Sequence, residues 1–188
     1  KNATAQLGID YLHKEIDYND FKVQPLMPHK LSQSGPGIAV GDVNGDGLSD
    51  FYVGGAQQDP GGLFLQTTEG GFKSLTFKQS YIGEDLGSLF FDADGDGDQD
   101  LYVVKGGNEQ MAEVSYYQDC LYRNDGRGNL TYDPAALPKM FDSGSCVVAA
   151  DYDGDADLDL FIGGRTHPRN YPLPGESHIL RNLEGKFQ

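Results

Sequence analysis

At 188 residues the chain has the length of one domain. Its hydrophobic content of 38% and aromatic content of 11% supply a packed core and exclude wholesale disorder, and no run of 18 apolar residues is present to cross a bilayer as a helix. The 29 acidic residues against 14 basic ones leave a net charge of −15, which excludes a generic binder of nucleic acid or anionic membrane, because both need a basic face.

Residues 1–36 open the chain with strand-like, amphipathic pieces such as Gly8–Asp17 (GIDYLHKEID), then the Pro-broken stretch Pro25–Pro36. They read as an extended segment, either an edge strand closing a sheet or a linker from a preceding domain. No initiator Met or signal-peptide pattern is present, as expected of a mature or trimmed chain. From residue 37 a repeat begins. Its three copies read GIAVGDVNGDGLSDFYVGGAQ from Gly37, GSLFFDADGDGDQDLYVVKGGN from Gly87 and CVVAADYDGDADLDLFIGGRT from Cys146. Each has a short apolar run, a nine-residue acidic loop, a second apolar run and a Gly-Gly pair. After a variable stretch each continues as a hairpin pattern: LFLQTTEGGFKSL from Leu63, LYRNDGRGNLTYDP from Leu121 and ILRNLEGKFQ from Ile179.

One unit therefore holds about four short strands in roughly 50 residues, the period and strand count of a β-propeller blade. The 26 Gly and 9 Pro agree with many short strands rather than long helices. The expected fold is all-β, with blades of four antiparallel strands at 37–86, 87–145 and 146–188. Residues 111–118 (MAEVSYYQ) form a helical turn or a loop that lengthens the second unit.

Of 22 Asp, 13 lie in the windows 42–50, 92–100 and 151–159, whereas Glu contributes only seven in all. Numbered from the leading Asp, position 1 is Asp42, Asp92 or Asp151, and position 3 is Asn44, Asp94 or Asp153. Position 5 is Asp46, Asp96 or Asp155, position 7 is Leu48, Asp98 or Asp157, and position 9 is Asp50, Asp100 or Asp159. Glycine at position 4, and at position 6 in the first two loops, lets the backbone curl so that alternate short oxygen side chains converge. Four side chains, the position-7 carbonyl and water suit a hard cation, and Ca2+ fits best, at up to three sites. Zinc and copper would want Cys or His, which these loops lack. A helix-flanked calcium hand would want Glu at position 12, where Val53, Val103 and Ile162 stand. Loop 1, with three carboxylates against five in each of the others, is expected to be the weakest site.

The stretch IAVGDVNGDGLSDFYVGGA resembles the FG-GAP repeat of integrin-α-like propellers and the VCBS-type repeats of their bacterial relatives. LYRNDGRGNL is similar to the ASPIC/UnbV and cartilage-acidic-protein branch. Over residues 35–188 the resemblance implies a seven-bladed propeller with Ca2+ held through positions 1, 3, 5, 7 and 9. Three units cannot close such a ring, so either further blades of a longer chain or other copies would complete it. Ala156 replaces Gly at position 6 of loop 3, which is expected to tighten that loop without abolishing binding.

No catalytic constellation is legible. His13, His29, His167 and His178 share no ligand spacing and read as surface or packing residues. Cys120 and Cys146 are either bridged or small buried groups. The triplets Asn2-Ala-Thr4 and Asn129-Leu-Thr131 fit a glycosylation pattern that is common by chance. Arg165–Glu176 is either a contact patch or an ordinary blade connection. The expected role is an extracytoplasmic binding or adhesion module with a protein or glycan partner, inserting into no membrane and binding no nucleic acid. The alternatives are a polysaccharide-processing enzyme domain and a structural spacer in a larger surface protein.

Overall fold

A computed structural model describes residues 3–78, 82–112 and 114–188, so Asn2 of the first glycosylation triplet lies outside the described residues. The chain folds into successive antiparallel sheets of the propeller-blade type. Blade 1 comprises β1 (Ile38–Gly41), β2 (Asp50–Val53), β3 (Gly62–Gln66) and β4 (Phe72–Leu75), paired in that order. Blade 2 repeats the order with β5 (Glu84–Phe91), β6 (Asp100–Gly106), β7 (Cys120–Arg123) and β8 (Thr131–Tyr132). Blade 3 has β9 (Ser143–Ala150), β10 (Asp159–Thr166) and β11 (His178–Leu180) in one sheet. Its outer hairpin, β12 (Asn182–Leu183) with β13 (Lys186–Phe187), is a separate ladder that follows β11 after Arg181, whose N–H and C=O both bond to Gln188. The expected fourth strand is present as β13, paired with β12.

Alternation along the strands builds the core. In β6, Leu101 and Val103 face blade 1 and join Ala39, Tyr52, Leu63 and Tyr122. Tyr102 and Val104 face blade 3 and join Phe91, Leu121, Leu160 and Ile162. Every residue of β6 is consequently buried. The first strands pack in series, β1 on β5 and β5 on β9. The Gly-Gly pairs allow this approach: a Cβ on Gly54 would lie 2.6 Å from Asp85 Cβ of blade 2, and one on Gly106 would lie 2.5 Å from Gly144 O of blade 3. The end blades keep apolar outer faces, with Ile38 and Val40 on β1, and Val148, Phe161 and Ile179 on blade 3, all exposed.

The described part of 1–36 contains no strand, so the edge-strand alternative is not realised. Its backbone forms a 3-10 turn at Thr4–Leu7 and one helical turn, α1 (Asp20–Val23). Two Pro within Pro25–Pro28 and several side-chain tethers replace ladder pairing. Tyr11 donates to Gly54 O at 2.7 Å, and buried Asp20 accepts from Ser32 and, at 2.8 Å, from Asn108 Nδ2. Gly54 and Asn108 follow β2 and β6, so the segment crosses the blade ends remote from the Asp loops, which precede those strands. The 111–118 stretch includes a 3-10 turn at Ser115–Tyr117. Cys120 and Cys146 are both free thiols, Cys120 buried in β7 and Cys146 exposed on β9.

One buried ion pair within blade 2 anchors the hydrogen bonds that join it to blade 1. Asp85 Oδ2 accepts from Tyr52 Oη and Gly55 N, each at 2.8 Å, while Asp85 Oδ1 pairs with the Lys105 ammonium. Removing one partner of a buried pair costs about 3–5 kcal/mol because the other charge stays desolvated. Asp85→Ala should lose about that much in urea unfolding; a loss under about 1 kcal/mol would show that the pair does not carry this junction.

Candidate metal centre

The three Asp loops join the first and second strands of each blade and adopt one conformation. Positions 4 and 6 are left-handed throughout: φ is 72° and 82° at Gly45 and Gly47, 78° and 94° at Gly95 and Gly97, and 82° and 78° at Gly154 and Ala156. Ala156 is the one L-residue at these positions and carries the strain that glycine avoids. The curl aims backbone N–H groups inward at the position-1 carboxylate. Gly47 N donates to Asp42 Oδ2 at 2.8 Å, Gly97 N to Asp92 Oδ2 at 3.0 Å, and Ala156 N to Asp151 Oδ2 at 3.2 Å. Position 5 accepts from the N–H of position 7, as Leu48 N shows on Asp46 Oδ1 at 2.8 Å.

The position-9 carboxylates are buried and bidentate. Asp50 accepts from Val43 N at 3.0 Å and Gln66 N at 2.8 Å; Asp100 accepts from Ala93 N at 3.3 Å and Asn124 N at 2.8 Å. Asp159 does the same with Tyr152 N at 3.2 Å and Asn182 N at 2.8 Å. Each therefore ties its loop to the end of the third strand, or to its counterpart in blade 3. Burial raises the Asp50 and Asp100 carboxyls above the usual range, and at Asp100 the Asn124 N–H and the Arg123 guanidinium work against it.

Loops 2 and 3 gather their oxygens most closely. One oxygen each of Asp92, Asp94 and Asp96 lies within 4.8 Å of the others, and the same holds for Asp151, Asp153 and Asp159. In loop 1, Asn44 instead bridges to Asp46, donating Nδ2–H to Oδ2 at 3.0 Å. Leu48 brings no side-chain oxygen, whereas Asp98 Oδ1 and Asp157 Oδ1 are buried with no hydrogen-bond partner. Desolvation first, then the neighbouring Asp96 or Asp155 carboxylate, pushes Asp98 and Asp157 up to about 6.

Two residue pairs that the sequence reading left inside hairpins belong to the site. Asn124 Nδ2 donates to Val43 O of loop 1 at 2.7 Å and to Gln99 O of loop 2 at 2.9 Å. Asn182 Nδ2 donates to Ala93 O of loop 2 at 2.9 Å and to Leu158 O of loop 3 at 3.1 Å. Each Asn fastens its own loop to that of the preceding blade. The residue before each is Arg: Arg123 reaches Asp100 at 2.8 Å and Asp94 at 3.4 Å, and Arg181 reaches Asp153 at 2.6 Å and Asp155 at 3.0 Å. The Arg181 hydrogen bond holds the Asp155 carboxyl below its usual range. The recurring Arg-Asn of LYRN and ILRN was the available signal.

Two stability predictions follow from this geometry. Asn124→Ala removes two buried donors worth about 1 kcal/mol each and leaves two carbonyls unsatisfied, so urea unfolding in EDTA should show a loss of about 2–3 kcal/mol. Ala156→Gly relieves a left-handed L-residue and should gain about 1 kcal/mol in the same assay; a loss would mean that the methyl group is packed rather than strained.

Residues 92–162, from the start of loop 2 into β10, match the family model described as FG-GAP-like repeat. The match names the repeat and no branch of the family. A search of curated proteins finds no match. The matched stretch holds two of three loops of one conformation, each leading into the second strand of an antiparallel blade, so this part of the chain is similar to an FG-GAP-like repeat.

Proposed function

We propose that the Asp loops bind Ca2+ and that the cations brace a propeller module acting outside the cytoplasm in binding or adhesion. The observation that carries this reading is the convergence of carboxylate oxygens from Asp92, Asp94 and Asp96 and from Asp151, Asp153 and Asp159, in loops whose position-7 oxygens, Asp98 Oδ1 and Asp157 Oδ1, are also buried and unpartnered. Unneutralised, so many carboxylates repel one another and oppose folding. Asp42, Asn44, Asp46 and Asp50 with the Leu48 carbonyl would hold the first ion. Asp92, Asp94, Asp96, Asp98 and Asp100 would hold the second, and Asp151, Asp153, Asp155, Asp157 and Asp159 the third. Bound Ca2+ supplies charge neutralisation and an oxygen-rich coordination centre, and no chemistry on a substrate. The chain's own part is to hold the loops curled and to tie them to the neighbouring blade through Asn124 and Asn182.

Such sites suit compartments rich in Ca2+, because cytosolic levels leave weaker ones empty. That agrees with an extracytoplasmic module and with the absence of any described helix long and apolar enough to cross a membrane. The apolar outer faces at Ile38 and Val40, and at Val148, Phe161 and Ile179, fit contact with further blades. A protein or glycan partner would meet a propeller face, since the charge of −15 disfavours nucleic acid.

A thermal melt in EDTA, repeated in millimolar Ca2+ and in Mg2+, tests the metal reading. A ligand at 100 times its Kd adds about 2.7 kcal/mol per site, and each kcal/mol raises Tm by about 2–4 °C in a chain of this size. A Ca2+-specific rise of roughly 5–10 °C or more is expected, with Asp100→Asn and Asp159→Asn each reducing it and loop 1 filling last. An equal response to Mg2+, or none to either ion, would sink the reading.

A further inference from the structure

We propose a second kind of metal site, for a borderline divalent cation of the Zn2+ class, formed by His13, Glu15 and Glu84 at the blade ends remote from the Asp loops. One donor atom from each of the three lies within 4.8 Å of the others. His13 Nε2 and Glu15 Oε1 are already 2.7 Å apart on the N-terminal segment. Glu84 opens β5, the first strand of blade 2, so the site would clip the segment to the blade stack.

The second, independent observation is the state of Glu84. The residue is 1% exposed. Its Oε1 accepts from Ser34 N and Gly35 N, each at 3.0 Å, but its Oε2 is buried with no hydrogen-bond partner. Glu109, also buried, shares the pocket: a Cβ on Gly107 would lie 2.9 Å from Glu84 Oε2 and 2.3 Å from Glu109 Oε2. Glu109 Oε2 is satisfied by Asn108 N at 2.9 Å. Among the described residues no Lys or Arg forms an ion pair with either Glu84 or Glu109. Burial, then the Glu109 and Glu15 charges, raises the Glu84 carboxyl to about 8.

The donor chemistry selects the ion. An imidazole nitrogen beside carboxylates suits Zn2+ and its neighbours in the transition series, whereas Ca2+ takes oxygen alone. Metal–ligand distances near 2.0–2.2 Å place tetrahedral ligand atoms about 3.4 Å apart. The metal would therefore replace the proton shared by His13 and Glu15 and part them slightly. Three protein ligands leave one position for water or for Glu109. The trio Asp142, Glu176 and His178 on blade 3 is more open, and no buried unpartnered oxygen faces it, so it serves as the comparison site.

The test uses the full chain saturated with Ca2+, so it does not depend on whether the Asp loops bind. Zn2+ is titrated by competition with a chromophoric chelator, and melts are recorded with and without it. The expected result is a Zn2+ site whose affinity falls at least tenfold in both His13→Ala and Glu84→Gln and is unchanged in His178→Ala. Glu84→Gln keeps the size of the side chain and removes its buried titratable carboxyl, so it should melt no lower than the parent without zinc, which separates lost binding from lost folding. Absence of Zn2+ binding in the parent, or binding that survives both variants but not His178→Ala, would overturn the proposal.

Discussion

Each blade depends on a buried carboxylate at the end of its Asp loop. Asp50, Asp100 and Asp159 each spend both oxygens on backbone N–H groups, one in the loop and one at the end of the third strand or its counterpart. A buried anion is tolerable only when donors surround it. The donors here come from segments far apart in sequence, so the loop, the second strand and the outer hairpin must be in register together. The side chain of that same outer residue then reaches across to the preceding blade in two cases, Asn124 to loop 1 and Asn182 to loop 2. A local device for closing a loop thereby becomes the connection between blades.

The two ends of the blade stack solve the problem of charge differently. At the loop end the carboxylates are numerous and largely accessible, offset by Arg123 and Arg181 and, on the proposed reading, by Ca2+. At the other end the carboxyl groups are buried and rely on local donors. Asp85 has the Lys105 ammonium, Tyr52 Oη and Gly55 N, while Asp119 accepts from Lys105 N and Tyr102 Oη and is pushed up to about 7 by burial. Glu84 has only two backbone donors on one oxygen. At this end of the described blades Glu84 is thus the carboxylate that keeps a buried, unpartnered oxygen, and His13 and Glu15 stand beside it.

The repeat, the strands and the loop donors were legible because each is written locally: alternation, Gly at fixed offsets, and Asp at every second position. Asn124 and Asn182 were less so, because Asn after an apolar run and before Gly also reads as an ordinary turn residue, and their partners lie more than 80 residues away. The separate ladder of β12 and β13 in blade 3 has no sequence mark beyond the shorter ILRN–LEG connection. His13 could not be paired with Glu84 from spacing, since the N-terminal segment carries no periodicity to say where it lies. Its path is set by tertiary tethers, Tyr11 on Gly54 and Asp20 on Ser32 and Asn108, and such tethers leave no pattern in a single sequence.

The loop charges also bear on how the three sites differ. Asn124 N and Gln66 N make the same contact to the position-9 carboxylate, so Leu65 in blade 1 stands where blades 2 and 3 carry Arg123 and Arg181. Loop 1 has three carboxylates and no cation, while each of the others has five carboxylates with one Arg. The margin in formal charge is therefore one unit rather than two. An exposed guanidinium is a mobile and screened neutraliser, worth little once a cation competes for the same oxygens. Arg123 is the more strongly held, since it also donates to Gly185 O of the next blade's hairpin, whereas Arg181 is nearly half exposed on its side chain. Loop 3 thus has the carboxylate surplus of loop 2 but a looser counter-ion. On electrostatic grounds it should rank ahead of loop 2, with the strain at Ala156 as the opposing term.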